Sequence, residues 1–233
     1  MAKQKFSFSS VFIFFKRVAI FFFASTILAT LAYIFINPPA SPLMLIRSIE
    51  KLFSGEKVMM KKEWLPLDSI SPFLVQAVVA SEDNNFKEHL GFDFDAIRKA
   101  KELNKKGGKM RGASTISQQT AKNVFLWPDR TWVRKGFEVY FTGMIEVCWS
   151  KKRIMEVYLN IIEMGDGIYG AEMAAQTYFN KSAKDLNRKE AALIAAVLPN
   201  PRKWHPNEPT KYIKRKQQKI LQLMNKVGEI TFD

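Results

Sequence analysis

Nineteen consecutive uncharged residues, Val18 to Ile36, constrain this chain more than any other feature. At about 1.5 Å per residue, a helix of that length spans roughly the hydrocarbon core of a bilayer. Asn37-Pro38-Pro39 ends it, because proline lacks a backbone donor and turns the residue before it away from helix. Lys3, Lys5, Lys16 and Arg17 precede the run with no acid among them, and the next positive charge is Arg47. The positive-inside rule then predicts a cytoplasmic basic tail over 1–17, a transmembrane anchor over 18–36 and an external remainder. The run is long for the apolar part of a cleaved signal, and no clean Ala-x-Ala site follows it.

Charge narrows the partners. The chain has 36 basic and 22 acidic residues. Without the four basic residues ahead of the anchor, 32 face 22, so the external part is still strongly basic. Outside the cell membrane such a surplus fits anionic lipid head groups and phosphorylated lipids, and no nucleic acid. One cysteine excludes an internal disulfide, and with only His89 and His205 beside it a His/Cys zinc site is not expected.

The external part predicts a mainly helical domain. Residues 37–62 read as a linker or membrane-proximal segment, and the domain as 63–233. Ser71-Pro72 opens a helix, with Ser71 as the cap. Trp132 to Ile161 is a long periodic stretch with a break near Ser150. Gly170 to Phe179 is a short helix, Asn187-x-x-Glu190 a capping box, and Lys211 to Val227 a basic closing helix. The basic loop KKGGKMRGAS, residues 105–114, reads as mobile and lacks the order of a Walker A loop.

Four segments could carry chemistry. Glu82 and Asp83 end an apolar helix, where the negative end of the dipole disfavours a carboxylate charge. Such a group is a candidate general base or acid. Gly112 to Asn123 (GASTISQQTAKN) begins a polar helix whose Ser114, Thr115 and free N–H groups suit a phosphate or sugar. Gln118 and Gln119 are adjacent and cannot both point inward, so one structures the site while the other binds. Arg130, Arg134 and Glu138 are spaced by four, as on one helix face, and a guanidinium pair there could clamp a pyrophosphate. Glu156 and Asn160, one turn apart, read as structural.

The order and spacing of these segments resemble the peptidoglycan glycosyltransferase domain, glycosyltransferase family 51. Glu82, Asp83, Phe86, His89, Gly91 and Asp93 match its first block. Gly112 to Asn123 match its second, with Ala113 and Ser117 as mild departures. Arg134, Lys135 and Glu138 match the third, and Ser150 to Asn160 the fourth. The likeness covers about 63–205, and the single anchor resembles the monofunctional members.

That resemblance implies a lysozyme-like helical head with a small membrane-proximal jaw, residues 124–132 belonging to the jaw. It implies polymerisation of lipid II into β-1,4-linked glycan strands, with lipid II and the growing strand as partners beside membrane lipids and other cell-wall synthases. It places the enzyme in the bacterial inner (cytoplasmic) membrane, with the catalytic domain on the periplasmic side. Glu82 would be the general base and Glu138 the second catalytic group. Asp83, Ser114, Thr115, Gln118, Gln119, Lys122, Asn123, Arg130, Arg134 and Lys135 would bind substrate. A divalent cation, Mg²⁺ or Mn²⁺, would be held by Glu82 and Asp83. A lytic relative would share the glutamate but would not need Lys122, Arg134 and Lys135 grouped, and a non-catalytic scaffold would need none of these groups.

Overall fold

The structure, a computed structural model, describes residues 8–55, 58, 60–105, 107 and 112–232. It divides into two compact units, Met1–Asn37 and Pro38–Asp233. The first is one helix, α1 (Phe8–Phe35), whose stretch Val11–Phe35 is long and apolar enough to cross a membrane, with a mean hydropathy of 2.2. The helix starts before the uncharged run and takes in Lys16 and Arg17, so helical structure reaches back into the region read as a basic tail.

The second unit is mainly helical. Its elements are α2 (Pro42–Phe53), β1 (Lys61–Lys62), α3 (Pro72–Glu82), α4 (Phe94–Lys105), α5 (Ile116–Phe125), α6 (Trp132–Cys148) and α7 (Lys151–Ile161). Then follow β2 (Glu163–Gly165), β3 (Ile168–Tyr169), α8 (Ala171–Phe179), α9 (Arg188–Val197) and α10 (Lys211–Val227). The stretch 37–62 thus contributes α2 and β1, and from Pro38 onward it belongs to this unit. β1 runs parallel to β3 and β2 antiparallel to it, in the order β1-β3-β2. Of the basic loop over 105–114, residues 106 and 108–111 lie outside the described residues.

Two helix groups position the site. α3 packs against α9 and α10, and α5 packs against α6 and α7. Every residue from Leu74 to Ala80 is buried, so α3 is apolar all round rather than striped. Each such Leu or Val contributes about 1.5–3 kcal/mol on burial. Gln76 is the polar exception: its Nε2 donates to the Met224 carbonyl at 2.9 Å, satisfying the last turn of α10.

Local signals set the ends. Ser150 accepts from the Arg153 N–H and separates α6 from α7. Asn187 and Glu190 form the expected capping box. Thr115 and Gln118 form another at the start of α5. Ser71 does not cap α3; its hydroxyl donates to the Leu186 carbonyl at 2.7 Å, tying α3 to the chain ahead of α9. Asn160 is structural as expected, bonding both the N–H and the carbonyl of Leu65 at 2.8 Å.

Candidate active site

Glu82 is the last residue of α3 and opens onto a cleft of about 350 Å³. Ser114, Asn84, Asn85 and Lys99 share its walls. Gln119 Nε2 donates to Glu82 Oε2 at 3.0 Å, linking α3 to α5 across the two helix groups. The buried Tyr158 hydroxyl donates in turn to Gln119 Oε1 at 3.3 Å, which fixes the amide orientation. Burial, then the charges of Glu82 and Asp83, push the Tyr158 phenol well above its usual range, so it remains a donor. The two glutamines take different positions: Gln118 is buried in the capping box, and Gln119 faces the Glu82 carboxylate.

Asp83 also borders the cleft, but both its oxygens are committed inside the fold. Oδ1 accepts from His89 Nε2 at 2.8 Å, and Oδ2 from the Ile116 N–H at 2.9 Å. The Gly91 N–H donates to His89 Nδ1 at 3.1 Å, which leaves the ring proton on Nε2, facing Asp83. Asp83 therefore sits at the positive end of α5 and occupies the place suggested for a phosphate. The Gln118 N–H is likewise taken, by Thr115 Oγ1, while the Thr115 hydroxyl donates to the Gly91 carbonyl at 2.7 Å. Asp83, Thr115 and Gln118 shape the site, whereas Ser114 is exposed at it.

Behind this loop lie residues to which the sequence alone assigned no role. Lys151 Nζ donates to the His89 carbonyl at 2.6 Å and to Glu146 Oε1 at 2.8 Å, and rests 4.7 Å from the Phe86 ring centroid. Ser117 Oγ donates to the same Glu146 oxygen. The start of α7 thus clamps the segment that follows Glu82.

A second cleft, of about 410 Å³, is cationic. Arg47, Lys122, Arg130 and Arg134 line it, with Asn123 and Asp129. Glu138 is 3% exposed, and its carboxylate is held by Arg134 Nη1 at 2.6 Å and by Lys135 Nζ. Arg134 Nε also donates to the Asp129 carbonyl. Thr131 caps α6 and Trp132 begins it, so Arg130 precedes the helix; it lines the cleft from the loop, not from a shared helix face. Asn123 Nδ2 donates to the Gln119 carbonyl at 2.8 Å. Lys135 faces the neighbouring groove under α4 instead.

Lys122 connects the two clefts electrically. Burial lowers its ammonium below the usual 10.5; the Glu138 charge raises it, Arg134 and Lys135 lower it, and Glu82 raises it. Among the described residues it has no hydrogen-bond partner, so its three donors remain available.

The residues present do not make a cage for a divalent cation. No group of three acidic, histidine or cysteine ligands occurs among the described residues. Of the two carboxylates expected to bind one, Asp83 already accepts one hydrogen bond on each oxygen.

In the jaw segment, Phe125 stacks on Phe141 at 4.4 Å, so that ring packs internally, whereas Trp132 is 91% exposed.

Comparison with known proteins points the same way. A family model described as Transglycosylase matches residues 49–225. A biosynthetic peptidoglycan transglycosylase of Bacteroides thetaiotaomicron is 58% identical over 212 residues, covering 91% of this chain and 86% of the relative. One from Bdellovibrio bacteriovorus is 53% identical over 205 residues, 88% and 82% of the two chains. One from Pseudomonas fluorescens is 47% identical over 214 residues, 92% and 89%.

Proposed function

This chain belongs to the transglycosylase family of peptidoglycan-building glycosyltransferases, and from that premise we propose that it polymerises lipid II, releasing undecaprenyl pyrophosphate. The observation that carries the reading is the pairing of two clefts. One presents a carboxylate held by an amide, the other a cluster of cations, and Lys122 feels both glutamates.

The acceptor is the GlcNAc 4-hydroxyl of an incoming lipid II. Glu82 takes its proton as the oxygen attacks C1 of the donor MurNAc. The bond from C1 to the pyrophosphate oxygen breaks, and its electron pair leaves with the undecaprenyl pyrophosphate. A single displacement turns the α-linked donor into a β-1,4 bond, with the base and the leaving-group cations on opposite sides of the sugar.

Charge builds on the leaving pyrophosphate. Lys122, Arg130 and Arg134 stand ready there without reorganisation, the arrangement that makes electrostatic stabilisation large. Glu138 acts as a positioning group that holds Arg134 and Lys135. Ser114 and Asn123 contribute polar contacts at the walls, and Asp83, Thr115 and Gln118 fix the loop that presents Glu82. Any divalent cation would draw most of its ligands from the pyrophosphate itself. The α1 helix holds the enzyme in the membrane, with the second unit on the periplasmic side; the basic residues ahead of Val18 support that orientation.

The test is turnover of lipid II by the purified full-length chain in detergent, with and without a chelator, products separated by size. Long strands with undecaprenyl pyrophosphate released are expected. Cleavage of finished peptidoglycan without strand synthesis would overturn the reading and make the enzyme lytic.

A further inference from the structure

We propose that Arg47, on α2, is a binding residue for the pyrophosphate of the prenyl-linked donor. This deepens the reading above and rests on the cationic cleft being the pyrophosphate site. Arg47 precedes the matched family span of 49–225, so that match assigns it nothing.

Its place in the cleft follows from how α2 is built. Pro42 starts the helix, Ser41 caps it by accepting from the Met44 N–H, and Met44 is fully buried. Lys51 Nζ pairs with Asp166 at 2.8 Å, and α2 packs on α5. With both ends held, Arg47 lines the same 410 Å³ cavity as Lys122, Arg130 and Arg134. Two of these four cations stand on α2 and α5, one in the preceding loop and one on α6, so they approach an anion from several sides.

The guanidinium is only partly engaged. Nη1 bonds Glu50 at 2.8 Å, while Nε is buried and has no partner among the described residues. Glu163 and Tyr169 lie within electrostatic range of it, and each has a buried oxygen without a partner as well. Arg47 thus has acidic support on its buried side, while its side chain is still 30% exposed and lines the cavity, so the Nη end of the fork is what a phosphate there would meet. Asp129, the acid lining the cavity, already accepts from the Arg130 N–H.

The experiment uses the full-length chain in detergent and farnesyl pyrophosphate as the probe, with binding read by calorimetry and donor KM by strand synthesis. Arg47→Gln, which keeps most of the side-chain length, should weaken probe binding about tenfold, the size of one charge-assisted hydrogen bond. KM should rise with kcat little changed, and Arg47→Lys should fall between. Lys122→Gln is the control on the cleft. If it weakens binding and Arg47→Gln does not, Arg47 is only a counterion and the inference fails. If neither weakens binding, the cleft is not the pyrophosphate site and the underlying reading fails first. If Glu163→Gln restores binding to the Arg47→Gln chain, the loss came from an unpaired buried carboxylate, and the inference fails on that ground.

Discussion

Gln119 Nε2 lies 3.0 Å from Glu82 Oε2, and its own carbonyl accepts from Tyr158. A carboxylate with one oxygen held this way keeps the other for the incoming hydroxyl. Gln119→Ala should therefore lower kcat about tenfold, since one hydrogen bond to a charged group is worth roughly 1.5–3 kcal/mol. KM should barely move, because the cationic cleft is untouched. Steady-state strand synthesis checks this, and an unchanged kcat would mean that the base needs no such support.

Glu82→Gln should be far more severe. General-base help is typically worth about 10²–10⁴ in rate, and the amide cannot take the proton. Probe binding at the cationic cleft should survive. Near-normal polymerisation would remove Glu82 from the role of base.

Arg134 and Glu138 form a buried pair, at 8% and 3% exposure. Removing Arg134 leaves the buried Glu138 carboxylate with Lys135 alone, a loss that approaches but does not reach the roughly 3–5 kcal/mol of a fully unpaired buried charge. Arg134→Ala should therefore melt several degrees lower as well as use donor poorly. The double variant Arg134→Gln, Glu138→Gln should recover much of the melting temperature but none of the activity. Recovery of both would place the pair in the scaffold alone.

Much of the helical plan is legible in the sequence, because caps and periodicity are local. Asn187 with Glu190, the break at Ser150 and the run Lys211–Val227 all fall where local chemistry puts them. The spacing of Arg130 from Arg134 misleads, because Thr131 is the cap and the helix begins only at Trp132, two residues after Arg130. Asp83 follows Glu82 and looks like its twin, yet as the cap residue it has left helical geometry, and its carboxylate turns to His89 and Ile116. No local pattern announces that, nor the contact of Lys151 with His89, 62 residues away, since both depend on how the two helix groups meet.

Lys122 predicts a pH dependence. Its ammonium is held below 10.5, mainly by burial. Between the folded value and 10.5 the unfolded chain binds the extra proton, so this group makes stability rise with pH across that window and penalises folding below it. Function runs the other way: the neutral amine loses its attraction for pyrophosphate, so donor KM should climb on the alkaline side before ordinary lysines titrate. Lys122→Arg should move that climb to higher pH, because a guanidinium stays charged. An alkaline limb identical in both proteins would assign it to another group.

Two glycines should respond oppositely to a methyl group. Gly170 has φ +82°, and a Cβ there would meet the Asn160 carbonyl oxygen at 2.8 Å, a backbone atom that cannot swing aside. Asn160 also ties down Leu65, ahead of α3. Gly170→Ala should cost about 1–3 kcal/mol from the backbone conformation alone, and the displaced Asn160 adds to it. Gly136 lies within α6, exposed, with nothing within 4 Å of its Cβ position. Gly136→Ala should stabilise by up to about 1 kcal/mol through helix propensity. Thermal melts of the two variants in the same detergent decide it, and equal shifts would mean that the contact of Gly170 with Asn160 does not constrain the fold.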